Sequence, residues 1–292
     1  MTDHTQPDDD VKLSLPEFVA MRARRRPIVM VTAYDTPSAR LADTAGIDAI
    51  LVGDSAGTTV LGGRSTVPVT MEEMLLFTRA VVRGTSRALV VADMPFGAYQ
   101  VSEESALANA IRLVKESGAD AVKLEGAGRT LSRISAIVDA GIPVMGHIGL
   151  TPQSATMLGG YRAQGRTASA ARRLVKEAQA LEHAGCFSIV LEAIPAVVAE
   201  HVTEAVTIPT IGIGAGAACS GQVLVWHDVL GLSTGPQPRF VKPYAQLASV
   251  IDTALRAYAD DVREGRYPES RHTYGMPEDE RARWESGVET KK

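Results

Sequence analysis

The chain has 292 residues, 45% hydrophobic and 22% charged, with a formal net charge of -4, which suits a globular protein of one large domain or two small ones. That balance argues against nucleic acid or an anionic membrane as the main partner, and no apolar stretch approaches the ~20 residues that span a bilayer. Its two cysteines, Cys186 and Cys219, form neither a zinc pattern nor a disulfide framework, so a cytoplasmic location is the expectation.

Residues 1–12, "MTDHTQPDDDVK", are polar and acidic, unlike a signal peptide, and read as a disordered leader. A helix opens at "SLPEFVAMRARRR", where Ser14 and Glu17 form a capping box and Pro16 suits the first turn. The basic run Arg22 to Arg26 reads better as solvated cations favouring a helix C-terminus than as an anion site.

Beyond it one junction recurs. "TAGIDAILV", "ESGADAVKL", "DAGIPVMGH" and "HAGCFSIVL" each pass from helix end through glycine to an apolar, strand-like run. Glycine in that place is the usual left-handed cap, and the runs suit strands buried on both faces of a parallel sheet. Strands are expected near 28–33, 48–53, 88–93, 119–125, 142–147, 187–192, 208–213 and 223–228. Helices are expected near 36–45, 71–83, 103–117, 130–140, 168–184, 195–206 and 245–263, with a short or missing helix between strands seven and eight. Eight strand–helix units at this length fit an α/β fold of the closed (β/α)₈ TIM barrel type better than an open sheet. The expected organisation is a leader (1–12), the barrel with its N-terminal helix (13–263) and a polar C-terminal extension (264–292) with a helix near 277–287. The Gly-rich segment 148–166 follows strand five and is a lid candidate.

Polar residues collect where these strands end: Asp54 and Ser55, Asp93, Lys123 and Glu125, His147, and Glu192. In a barrel such positions converge on one mouth. Strand alternation puts Lys123 and Glu125 on one face, and by the same rule Asp54 on the face of Val52. Blander readings stand beside each. Asp54 and Ser55 are good helix caps, Asp93 before "MPFG" suits a turn, Lys123 and Glu125 make an ion pair, Glu192 suits a cap, and His147 a structural hydrogen bond. Their coincidence at one rim favours a site. Three carboxylates around an apolar mouth need compensation, and a hard divalent cation such as Mg²⁺ supplies it. Asp54 and Asp93 are the best pair of direct ligands, with Glu125 binding directly or through a water. "GIGAG" (212–216) reads equally as a tight turn or as a close approach to a substrate anion.

In order along the chain, "VTAYD", "VGDS", "ADMPF", "VKLEG", "GHIGLTPQ", "VLEAIP", "IGIGAG" and "GQVLVWHD" resemble the ketopantoate hydroxymethyltransferase family over about residues 14–260. The resemblance implies a Mg²⁺-dependent barrel, one ion per subunit, related to the phosphoenolpyruvate/pyruvate enzymes and often assembled as a homodecamer. It further implies transfer of a one-carbon unit from 5,10-methylenetetrahydrofolate to 3-methyl-2-oxobutanoate, giving 2-dehydropantoate through a Mg-stabilised enolate. By motif, Asp54, Asp93 and Glu125 look like the metal set, Asp54, Ser55, Asp93 and Lys123 like the ketoacid contacts, and Glu192 like the proton acceptor. Ser220 departs from the family, which usually has Asp there. The rival readings are a carbon–carbon lyase of the isocitrate-lyase type, for which neither cysteine has a matching context, and a non-catalytic ketoacid-binding barrel.

Overall fold

The computed structural model describes residues 11–233, 235 and 237–287, so most of the expected leader lies outside the described residues. The first helix, α1 (Leu15–Ala23), starts as its sequence dictates. Ser14 Oγ accepts the Glu17 N–H, and the Glu17 carboxylate takes the Ser14 N–H in return. One face buries Phe18 and Met21 against Ile28, Met30, Leu89 and Phe187, closing the N-terminal end of the barrel. Full burial of such side chains stabilises by roughly 1.5–3 kcal/mol each. The basic run is less idle than expected: the Arg22 guanidinium donates to the carbonyls of Thr203 and Ile208, and Arg26 pairs with the buried Asp48 at 3.0 Å.

From there strands and helices alternate. In chain order they are β1 (Ile28–Thr32), α2 (Thr36–Thr44), β2 (Ala49–Val52), α3 (Ala56–Thr59), α4 (Met71–Gly84), β3 (Leu89–Asp93) and α5 (Glu103–Ser117). Then come β4 (Ala121–Lys123), α6 (Thr130–Asp139), β5 (Val144–Gly149), α7 (Ala168–His183), β6 (Ser188–Glu192) and α8 (Ala196–Ala205). The barrel ends with β7 (Thr210–Ile213), β8 (Gly221–Leu224) and α9 (Trp226–Val229). All eight strands pair in parallel with their neighbours, and β8 returns to β1 through Ile28↔Gly221, closing a (β/α)₈ barrel. The four junction glycines, Gly46, Gly118, Gly141 and Gly185, all take left-handed φ, as the recurring pattern requires.

Alternation along the strands divides the core in two. Leu51, Val91, Ala121 and Met145 point into the barrel, whereas Ile50, Val90, Val122 and Val144 pack outward beneath the helices. No helix joins β7 to β8.

The eighth strand runs over 221–224 rather than 223–228. Gly221 belongs to the ladder, paired with Ile28 and Ile211, and a Cβ there would stand 2.4 Å from the Ile28 carbonyl oxygen, so this close approach calls for glycine. After Leu224 the Trp226 N–H leaves the ladder for Thr32 Oγ1 and the chain turns into α9.

The chain divides into two compact units between Ala245 and Gln246. The second unit contains α10 (Leu247–Arg263) and α11 (Glu278–Gly287), the latter close to its expected span. Among the described residues no helix is long and apolar enough to cross a membrane.

Candidate active site

Asp54, Ser55, Asp93, Lys123, Glu125 and Glu192 all line one cavity of about 190 Å³ at the C-terminal mouth of the barrel, joined by His147. A larger hollow of about 790 Å³ lies beside Arg22 and Gly221, yet it gathers no carboxylate, and chemistry rather than size marks the site.

Each strand delivers its side chain differently. Asp93 and Glu192 are the last residues of β3 and β6, Lys123 the last of β4, and all three keep the inward parity of their strands. Asp54 does not follow the rule that set it with Val52. β2 stops at Val52, and the turn closed by the Ala56 N–H on the Gly53 carbonyl swings Asp54 back into the mouth, where it shares the cavity with Leu51. A Cβ on Gly53 would meet Ser55 Oγ at 2.6 Å, so a side chain there would push that hydroxyl from its place.

The capping readings fail for Asp54, Ser55 and Glu192. α3 and α8 have no side-chain cap. Ser55 Oγ instead bonds the Tyr34 hydroxyl at 2.8 Å, and the Asp54 N–H donates to Asp93 Oδ2 at 3.1 Å. The alternative of a simple Lys123–Glu125 ion pair gives way to another partner: Lys123 Nζ stands 2.5 Å from Asp93 Oδ1, across two adjacent strands.

His147 is the centre of a buried network. Its Nδ1 lies 3.4 Å from both Glu125 Oε1 and Lys123 Nζ, and its Nε2 lies 3.3 Å from Glu192 Oε2. Sequence reading favoured a structural histidine; alternation along "GHIG" from the inward Met145 is the signal that places it on the cavity side. Burial and Lys123 depress its pKa, but Glu125 and Glu192 overcome them and hold it up to about 9. Burial likewise opposes the Lys123 charge, and Asp93, Glu125 and Asp54 more than offset it. Burial raises Asp54 to about 7, with Asp93 and Glu125 adding to the rise. Glu125 is also desolvated, but His147, Lys123 and the Gln153 N–H hold its carboxyl below the usual range.

Beside Glu192 the backbone is strained. Ala193 has φ 48°, and it is held there by its own N–H to the Ile213 carbonyl and by the Gln164 N–H to its carbonyl. Gly149, at φ 98°, lies against the same residue: a Cβ there would stand 2.3 Å from the Glu192 carbonyl oxygen. Gly149→Ala is therefore expected to cost about 1–3 kcal/mol from its backbone alone and to displace Glu192. The check is denaturant unfolding together with turnover; unchanged stability and rate would remove the contact from the account.

The segment 148–166 begins with a short 3₁₀ turn, Pro152–Ser154, that buries Gln153 against the site. Farther along, burial raises the Tyr161 phenol, and Asp54, Glu125 and Glu192 add to it. "GIGAG" serves mainly as a turn: Gly214 and Gly216 take left-handed φ, and Cβ atoms there would meet Phe240 and Ala196 at 2.6 Å. Ser220 trades bonds with Thr210, so its hydroxyl is satisfied within the sheet.

Among the described residues no ready-made cluster of three His, Cys, Asp or Glu side chains forms a chelate. The donor set still fits a hard cation, since Mg²⁺ takes only one or two carboxylates and keeps water on the rest. Five buried or half-buried carboxylates line this cavity with Lys123 and a protonated His147, an excess of negative charge that a divalent ion offsets.

A closed (β/α)₈ barrel with titratable groups converging on its C-terminal mouth has the architecture of a barrel enzyme. A sequence profile described as Ketopantoate hydroxymethyltransferase matches residues 12–270. A 3-methyl-2-oxobutanoate hydroxymethyltransferase from Moorella thermoacetica is 56% identical, covering 90% of this chain and 98% of that protein. One from Oleidesulfovibrio alaskensis is 54% identical over 90% of this chain and 91% of its own. The chain belongs to the ketopantoate hydroxymethyltransferase family. Its fold is shared with a phosphonopyruvate hydrolase crystallised with oxalate and Mg²⁺ (TM-score 0.55, 15% identity, 91% of this chain and 95% of that one). It is shared too with 2,3-dimethylmalate lyase (TM-score 0.55, 18% identity, 92% and 99%).

Proposed function

We propose that the protein transfers a hydroxymethyl group from 5,10-methylenetetrahydrofolate to 3-methyl-2-oxobutanoate, forming 2-dehydropantoate, with one Mg²⁺ per subunit. The observation that carries this reading is the meeting of Asp54, Ser55, Asp93, Lys123, Glu125 and Glu192 in one cavity of a chain belonging to this family. The relatives' names supply the reaction, and cytosolic, homo-oligomeric (decameric) operation belongs to the same proposal.

Asp54 and Asp93 would hold the cation directly, and Glu125 would hold it or its water. When bound, the ion supplies Lewis acidity toward the carboxylate and keto oxygens of a 2-oxoacid. Lys123 Nζ, fixed by Asp93, presents a desolvated positive charge to the substrate carboxylate or to the developing enolate oxygen, and Ser55 holds the ketoacid beside it. Glu192 removes the C3 proton. His147, protonated at neutral pH and 3.3 Å from Glu192 Oε2, orients that carboxylate. The C3 carbanion then forms the C–C bond to the methylene carbon, both C–N bonds of that carbon to the folate break, and water supplies the hydroxyl; tetrahydrofolate leaves carrying the proton taken from C3 and the second proton of the water. The apolar wall of Leu51, Val190, Ile213 and Val223 suits the branched end of the substrate.

The test is ketoacid-dependent exchange of the C3 proton with solvent, followed by product formation when the folate is added. A binding barrel would give neither, and a carbon–carbon lyase would cleave a longer acid instead.

The reading has a pH signature. Asp54 must lose its proton when a cation binds, so Mn²⁺ affinity should fall about tenfold per unit as pH drops below 7 and level off above it. Metal-free protein should behave oppositely in stability. His147 is raised from 6.5 to about 9, so its contribution is complete below pH 6.5 and is lost as pH climbs through 9. Melting temperatures in EDTA from pH 6 to 9 check this, and a midpoint that rises over that range would contradict it.

A further inference from the structure

The loop after β5 returns Gln153 to the mouth of the barrel, where it is 6% exposed and has no role in the reaction as described. Every polar atom of its side chain is engaged. Nε2 donates to Asp54 Oδ2 at 3.0 Å and to the Met94 carbonyl at 2.9 Å, while Oε1 accepts from the Tyr99 hydroxyl at 2.6 Å. Its backbone N–H donates to Glu125 Oε2 at 3.0 Å. A single residue thus ties a carboxylate from the end of β2 to one from beyond β4, although β3 separates those strands.

The amide is held in one orientation from both ends. Met94 offers only a carbonyl, which must meet an N–H. Tyr99 accepts the Glu125 backbone N–H at 3.2 Å, which commits its one proton to Gln153. A flipped amide would set carbonyl against carbonyl at Met94 and would offer Asp54 an acceptor. The chain of donors therefore runs one way, from Glu125 N–H through Tyr99 and Gln153 to Asp54, and it leaves Asp54 Oδ1 free of the amide.

We propose that Gln153 is a positioning residue for the cation site, setting the orientation of Asp54 and its spacing from Glu125, with Tyr99 fixing the face that its amide presents. This rests on the reading that Asp54 and Glu125 serve a divalent cation. Partners of this kind, one bond removed from the ion, typically change metal affinity 10- to 100-fold when lost.

The test is Mn²⁺ titration of the metal-free full-length protein without ketoacid or folate, following the free-ion electron paramagnetic resonance signal. Gln153→Met keeps the volume and removes the side-chain bonds; it should weaken Mn²⁺ binding about 10- to 100-fold. Tyr99→Phe removes one oxygen and should weaken it about 2- to 10-fold, the worth of one hydrogen bond. Both should be measured at a temperature where near-ultraviolet dichroism shows the folded state, since a purely structural role would lower the melting point without moving the affinity. A Gln153→Met affinity within twofold of wild type, while Asp54→Ala abolishes binding, overturns the proposal. If Gln153→Met does not fold, an unchanged affinity in Tyr99→Phe overturns it. If the wild type binds no Mn²⁺, or Asp54→Ala binds it normally, the cation reading itself fails and takes the proposal with it.

Discussion

Glu192→Gln is expected to abolish exchange of the ketoacid C3 proton while leaving ketoacid binding largely intact. The substitution keeps the size of the side chain and removes only its ability to accept a proton. Positioned general bases contribute about 10²- to 10⁴-fold, so both exchange and turnover should fall by that factor with little change in the concentration needed for saturation. Geometry supports the choice. Glu192 ends β6 facing the cavity, caps no helix, and has His147 rather than a backbone N–H beside it. Proton transfer measured by deuterium uptake at C3 isolates this step from folate chemistry. Exchange at the wild-type rate would mean that Glu192 is not the base.

Asp93→Ala should produce the largest combined effect, because Asp93 stands at two junctions. It is one of the two carboxylates best placed to hold the cation, so the Mg²⁺ concentration required for activity should rise steeply. It also neutralises Lys123, which is 3% exposed. Removing one member of a buried ion pair leaves the other charge uncompensated and costs about 3–5 kcal/mol. The double variant Asp93→Ala with Lys123→Met separates the roles: stability should largely return, since an apolar replacement of the pair is often neutral, whereas Mg²⁺ dependence should not. Denaturant unfolding and Mg²⁺ titration of activity read the two effects independently. An Asp93→Ala protein with unchanged Mg²⁺ dependence would remove Asp93 from the metal set.

How much of this was legible depended on the range of the interaction concerned. Capping at Ser14 and Glu17 and the left-handed glycines rest on contacts between near neighbours in the chain, and both stand where expected. The inward parity of Asp93, Lys123 and Glu192 also follows from their own strands. Asp54 was placed on the wrong face because alternation holds only while the strand continues, and β2 stops two residues earlier. Strand eight lies at 221–224 rather than 223–228 because its limits are set by pairing with Ile28 across the barrel and by the turn into α9, contacts remote in the chain. The network of His147, Gln153 and Tyr99 is not legible in the sequence, since its partners lie 22 to 99 residues apart.

The amino-acid order by itself thus determined the repeated βα unit, the barrel and the set of polar residues at the strand ends, because local sterics, capping and side-chain period are enough to specify them. Tertiary structure alone decided who pairs with whom at the mouth: Lys123 with Asp93, His147 between Glu125 and Glu192, and Gln153 across Asp54 and Glu125. Those choices depend on closing the sheet. Only closure brings strands distant in sequence within hydrogen-bond range, and only the burial that accompanies it gives their charges strength enough to shift one another's protons.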